Sequence, residues 1–204
     1  MHKSPFVRIE AKFGIHNYIV NDIILLLIYT RTQRTNKEIT MKFVSILMGS
    51  KSDYETVKKC IDTLEKFDTP YEVLVTSAHR SPERTKEYVK QAEQKGAQVF
   101  ICAAGMAAHL AGVVASLTLK PVIGVPMKGG AIEGLDALLS TVQMPGGMPV
   151  ATVAIGNAGA TNSAYLAMQI LALDNEPLAK KLMQDRVEKI QDLEKDSATI
   201  EKIL

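Results

Sequence analysis

His79 and Arg80 stand side by side in the segment Ser77-Ala78-His79-Arg80, and a second histidine, His109, sits in Ala104-Gly105-Met106-Ala107-Ala108-His109-Leu110. An imidazole takes up and releases protons near neutral pH, and a guanidinium fork can hold two oxygens of one anion. A third segment, Gly49-Ser50-Lys51-Ser52-Asp53, adds hydroxyls and a carboxylate. Such a set suits an anionic ligand with sugar hydroxyls, and acid–base chemistry on it. The chain has four histidines, and the other two, His2 and His16, lie in an N-terminal stretch of different character. A metal held by His79 and His109 is the competing chemistry, but no third ligand follows at a suitable spacing.

The elements that must position these residues form a repeating pattern. From Lys42 onward, short apolar runs alternate with amphipathic stretches. Residues 42–48, 71–77, 98–104, 121–126 and 149–155 read as strands, with helices over 53–67, 82–95, 107–117, 134–143 and 159–173 between and after them. Ser81 is placed to cap the second helix, with Pro82 at its first position. Val- and Ile-rich strands joined by helical crossovers predict an α/β fold, a parallel sheet covered on both faces. Ligands of such sheets bind beyond the carboxyl ends of the strands, where all three segments above fall, so a shared pocket is expected.

Each segment also has an ordinary structural use. Ser52 or Asp53 can simply cap a helix, and the small residues of 104–108 can serve close helix–strand packing. The Gly49–Asp53 segment is neither GxGxxG nor a Walker sequence, so a dinucleotide or triphosphate is not indicated. Pro126-Met127-Lys128-Gly129-Gly130 and Gln143-Met144-Pro145-Gly146-Gly147 read as mobile loops that can close over a site, and Gly156-Asn157-Ala158-Gly159 ends the fifth strand at another helix start.

Composition narrows the class. The 204 residues, 47% hydrophobic, support one domain with a substantial core. A net charge of +2 makes no case for nucleic acid or an acidic membrane surface. Cys60 and Cys102 fall in a predicted helix and strand without CxxC spacing, and are expected as reduced core residues in a cytoplasmic protein. The apolar run Ile23–Tyr29 is far shorter than the roughly 20 residues of a membrane span. Residues 159–173 have almost no charged face, so the helix there is expected to be covered all round, in part by another subunit. The tail, 176–204, is amphipathic, with Leu178, Leu182, Ile190 and Leu193 as candidate anchors on the same subunit or a neighbour.

In order and spacing, GSKSD, SAHR, AGMAAHL, PVIGVP, GLDALLSTVQMP and PVATVAIGNAGATNSAYLAMQIL resemble the class I PurE family over about residues 42–175. The resemblance implies a flavodoxin-like three-layer αβα domain assembled as a homo-octamer. It implies transfer of a carboxylate from the exocyclic nitrogen of an aminoimidazole ribonucleotide to ring carbon four, without ATP, metal or other cofactor. On the same ground His79 would be the general acid–base. Ser50, Asp53 and Arg80 would bind substrate, with Ser52, Ser77, Gly105 and His109 lining the pocket. Domain boundaries follow: a catalytic domain over 41–175, a helical tail over 176–204, and, in residues 1–40, an extension or misassigned start, since relatives usually begin near Met41. Met106 and Ala111 stand where some class I members carry Gly and Pro.

Two rival functions remain. A related branch of the family carboxylates the aminoimidazole directly with CO2, but it differs after strand three and has Lys where this chain has Arg80. A non-catalytic flavin- or phosphosugar-binding module could use the same fold, although no aromatic residue occurs in the strand-end loops to stack on a flavin.

Overall fold

The structure, a computed structural model, describes residues 41–200 and 202. The expectations for residues 1–40, including His2, His16 and the Ile23–Tyr29 run, lie outside the described residues. Five parallel strands form one sheet: β1 (Phe43–Met48), β2 (Tyr71–Val75), β3 (Ala97–Ala104), β4 (Val122–Pro126) and β5 (Ala151–Thr152). Their order is β2-β1-β3-β4-β5, the flavodoxin-like arrangement. The helices are α1 (Tyr54–Lys66), α2 (Pro82–Lys95), α3 (Leu110–Ala115), α4 (Leu135–Val142), α5 (Asn157–Ala172) and α6 (Glu176–Ile200).

Strand alternation divides the core in two. Val44, Ile46 and Met48 of β1 point to one face, where α1 contributes Val57, Cys60, Ile61 and Leu64, and α5 contributes Ala160, Ala164, Ala167 and Met168. Phe43 and Leu47 point to the other, against Val89 and Ala92 of α2 and Leu110, Ala111 and Val114 of α3. The sheet is therefore buried on both sides, as its continuous apolar strands require. Small residues along α5 let it lie close to the sheet and to α1. Gly159 packs against the segment that leads into α5: a Cβ there would stand 1.6 Å from the Ala154 carbonyl oxygen. Both cysteines are free and buried, and burial pushes the Cys60 thiol up to about 12.

The first half of α6 is anchored to its own chain. Leu178 is buried in the core, and Leu182 packs against it. Asp185, 4% exposed, accepts from Lys66 of α1 at 2.6 Å, from Tyr165 of α5 at 2.9 Å and from Lys189 at 2.8 Å. Burial pushes the Asp185 carboxyl up, but these hydrogen bonds outweigh it and bring it down to about 2. Ile190 and Leu193, expected as anchors, are 57% and 69% exposed, because the helix has by then run beyond the core.

Two other expectations need correction. The fifth strand is far shorter than 149–155, since the chain turns away at Val153 to enter α5. Ser81 stands at the N-cap of α2 but makes no capping bond, because its hydroxyl donates to the Ser77 carbonyl instead.

Candidate active site

A cleft of about 500 Å³ opens at the carboxyl ends of β1, β2, β3 and β4. It is lined by all eight residues singled out above: Ser50, Ser52, Asp53, Ser77, His79, Arg80, Gly105 and His109. Parallel strands bring this about, since every strand then ends at the same edge and each following loop faces the same space.

Ser50 follows β1 in extended conformation, and its hydroxyl accepts from the Ser52 amide at 3.2 Å, capping a short 3-10 turn, Lys51–Asp53, that leads into α1. Ser50 thus caps the turn, while Asp53 stands at the N-cap of α1 without a side-chain capping bond. The Ser52 hydroxyl donates to Ser50 Oγ at 2.8 Å, which places both hydroxyls at the positive end of a helix. Burial pushes the Asp53 carboxyl above its ordinary range, and hydrogen bonds from the Ser50 backbone and the Ser52 hydroxyl hold it back in part. A half-buried carboxylate with no cation partner among the described residues is a poor structural element and a good acceptor for ligand hydroxyls.

After β2 the chain turns through Ser77–Arg80. The Ser77 hydroxyl accepts from the Arg80 amide at 3.2 Å, and Arg80 Nη2 donates to the Gly49 carbonyl at 3.2 Å. The guanidinium is thereby tethered beside the Ser50 and Ser52 hydroxyls while remaining exposed, a suitable arrangement for a phosphate. His79 extends toward β3, where its Nε2 lies 2.9 Å from Nδ1 of His109, the two rings nearly perpendicular at 86°. One proton must lie between these nitrogens. A second there would set two N–H groups head to head. The pair is thus suited to handle a single proton at a time.

The loop after β3 forms the cleft's middle wall. Gly105, Met106 and Ala107 line it, and Met106 holds a left-handed backbone, φ +55°. Ser140 of α4 braces this loop from behind: its hydroxyl accepts from the Ala108 amide at 3.0 Å and lies 3.3 Å from the Met106 carbonyl. Sequence reasoning passed over Ser140, which reads there as an ordinary residue of an amphipathic helix. From the loop after β4, Met127, Lys128, Gly129 and Gly130 complete the cleft. Lys128 pairs with Glu133 at 3.1 Å. The other expected closing loop lies elsewhere, with Gly147 and Met148 lining a separate cavity beside Leu119 and Pro121. Among the described residues no three His, Cys, Asp or Glu side chains converge to hold a metal, and no helix is long and apolar enough to cross a membrane.

Comparison with known proteins places this geometry in context. The profile of the AIR carboxylase family matches residues 43–192. A protein of Pyrococcus horikoshii named N5-carboxyaminoimidazole ribonucleotide mutase is 52% identical over 152 residues, 73% of this chain and 85% of that one. The Bacillus subtilis protein of the same name is 52% identical over 143 residues, covering 70% of this chain and 88% of its own. A crystal structure of Treponema denticola PurE superposes with a TM-score of 0.72 at 26% identity, over 79% of this chain and 99% of that one.

Proposed function

The chain belongs to the AIR carboxylase family, and from that premise we propose that it moves the carboxylate of N5-carboxyaminoimidazole ribonucleotide from the exocyclic nitrogen to ring carbon 4, giving 5-amino-4-carboxyimidazole ribonucleotide for purine biosynthesis. The activity is that of a mutase, an intramolecular transfer. The observation that carries the residue assignment is the His79–His109 contact in a cleft that also holds Arg80. His79 is the catalytic acid–base. Its imidazolium protonates the exocyclic nitrogen as the bond from that nitrogen to the carboxylate breaks, releasing CO2 and leaving a neutral ring. Carbon 4 of the aminoimidazole then attacks the CO2. His79 removes the carbon-bound proton, restoring the aromatic ring and its own charge, so protons balance over the cycle.

The remaining residues hold the reactants. Arg80 with Ser50 and Ser52 takes the phosphate, and Asp53 takes ribose hydroxyls. His109 orients His79, while Ser77 fixes Arg80. Gly105 and the small residues after it keep CO2, a small apolar molecule, beside the ring until it recombines. The chemistry asks for no cofactor, since the single proton needed is shuttled by one imidazole. Arg80 directly after His79, and His109-Leu110 after β3, favour transfer over direct carboxylation by free CO2. The working form is a cytoplasmic homo-octamer, a reading supported by apolar side chains left uncovered on the single chain, among them Leu119, Leu139 and Leu173.

The test is to supply N5-carboxyaminoimidazole ribonucleotide without ATP or metal and follow the ultraviolet signal of the carbon-carboxylated product. Wild-type conversion is expected, with His79→Asn slower by at least about a hundredfold at unchanged melting temperature. Product formed only from aminoimidazole ribonucleotide and CO2 would move the chain to the carboxylase reading. Wild-type rates in the variant would remove His79 from the mechanism.

A further inference from the structure

The substrate proposed above carries anionic groups at its two ends, a phosphate on the ribose and a carboxylate on the base. The cleft has cations at two ends as well. Arg80 stands at the β1–β2 end, bonded to Gly49 beside the Ser50 hydroxyl. Lys128 lines the same cleft from the loop after β4. Neighbouring strands lie about 4.8 Å apart, so in the order β2-β1-β3-β4 the end of β4 is about 10 Å from that of β1 and further still from that of β2. Arg80 and Lys128 thus approach the cleft from separate ends.

We propose that Lys128 is a substrate-binding residue that pairs with the migrating carboxylate, leaving the phosphate to Arg80; the inference rests on the mutase reading. Two observations carry it beyond position. The loop of Lys128 is joined to the small-residue loop, the Met127 amide donating to the Ala104 carbonyl at 2.9 Å, so Lys128 borders the wall beside which CO2 is released and recaptured. Its ammonium already holds a carboxylate, that of Glu133, at 3.1 Å. The loop doubles back through Gly129, Gly130, Glu133 and Gly134, all with positive φ, and so returns Glu133 to Lys128. With the side chains 70% and 69% exposed, the internal pair is weak, and a ligand carboxylate can displace Glu133 at small cost.

The effect belongs to binding rather than to bond breaking. Negative charge leaves the carboxylate as CO2 forms, so a cation on it stabilises the bound carboxylated species more than the CO2 stage between them. Lys128 therefore selects carboxylated ligands over the bare aminoimidazole ribonucleotide.

Calorimetry on the full chain tests this with two ligands, 5-amino-4-carboxyimidazole ribonucleotide and 5-aminoimidazole ribonucleotide, which differ only in the carboxylate. Lys128→Met is expected to weaken the first about tenfold and the second less than twofold, with Lys128→Arg restoring most of the loss. Equal weakening of both would put Lys128 on the phosphate and overturn the proposal, as would no change in either. Should Lys128→Met fail to fold, Glu133→Gln decides: freeing Lys128 should tighten the carboxylated ligand alone, and absence of that gain overturns the proposal. The wild-type chain is assayed in parallel for conversion of the N5-carboxylated substrate. Failure there sinks the mutase reading, whereas conversion with an unselective Lys128→Met sinks only the role of Lys128.

Discussion

Met106 sits in the wall of the cleft with φ +55°, a backbone conformation that costs a residue with a Cβ roughly 1 kcal/mol and glycine almost nothing. Its side chain is 64% exposed, so little packing is at stake. Met106→Gly is expected to stabilise the chain by about 0.5–1 kcal/mol in urea titrations, and a loss instead would mean that the side chain contributes contacts outweighing the backbone cost. Asp53 is a second site where stability is set against function. Its carboxyl is held above the ordinary range first by burial, so the charged form weakens the fold near neutral pH. A raised folded value means that this penalty is present above it and relieved as pH falls through it. Asp53→Asn should therefore raise the melting temperature at pH 7 while weakening ribonucleotide binding; a lowered melting temperature would contradict the burial argument. The residues of the cleft were legible because their types and their position after strands coincide. The place of Lys128 in the cleft was legible only as part of a loop, since a lysine beside two glycines has no spacing signal that separates a cleft residue from a solvated side chain.

At the level of elements, α2 spans the expected residues, Pro82–Lys95, because both its ends are marked: proline at the first position and Gly96, in left-handed conformation, just past the last. β5 was overread for the opposite reason. Pro149–Ile155 is as apolar as a central strand, yet Val153 packs into the core beneath the sheet and Gly156, φ +70°, turns the chain into α5. Apolar content reports burial, not whether a strand or the approach to a helix does the burying. That junction is intolerant of change: Gly159→Ala would drive a Cβ into the Ala154 carbonyl and should cost at least about 3 kcal/mol, detectable as a fall in the denaturation midpoint. The α6 anchor gives a pH test. Asp185 at about 2 lies below its unfolded value, so its contribution is complete above about pH 4 and lost as pH falls toward 2. Asp185→Asn should lower stability at pH 7 by about 2 kcal/mol and flatten its decline between pH 4 and pH 2. A variant with the wild-type acid profile would exclude Asp185 as the source.

For the whole molecule, the exposed apolar side chains are a prediction about assembly. Leu135, Leu139 and Val142 form an uncovered face on α4, each about half exposed, while Ile190 and Leu193 continue along α6 beyond its anchor. Sedimentation is expected to give a mass eight times that of the 22.3 kDa chain, and a monomer at micromolar concentration would refute the octamer. The helix α5 illustrates what the sequence can and cannot say at this scale. Its lack of charge announced burial, but small residues that pack tightly within one chain and those that pack between chains have the same composition. The strand order has a further consequence. His79 and Arg80 follow β2, which among the described residues is an edge strand, bonded to β1 alone and with Val73 and Val75 partly in solvent. Edge strands open more readily than central ones, so β2 amides should exchange with deuterium sooner than those of β3, which has partners on both sides. The chain can then lose the order of the His79–Arg80 loop by local fraying at a denaturant concentration that leaves the rest folded, and activity is expected to fall before the far-ultraviolet circular dichroism does.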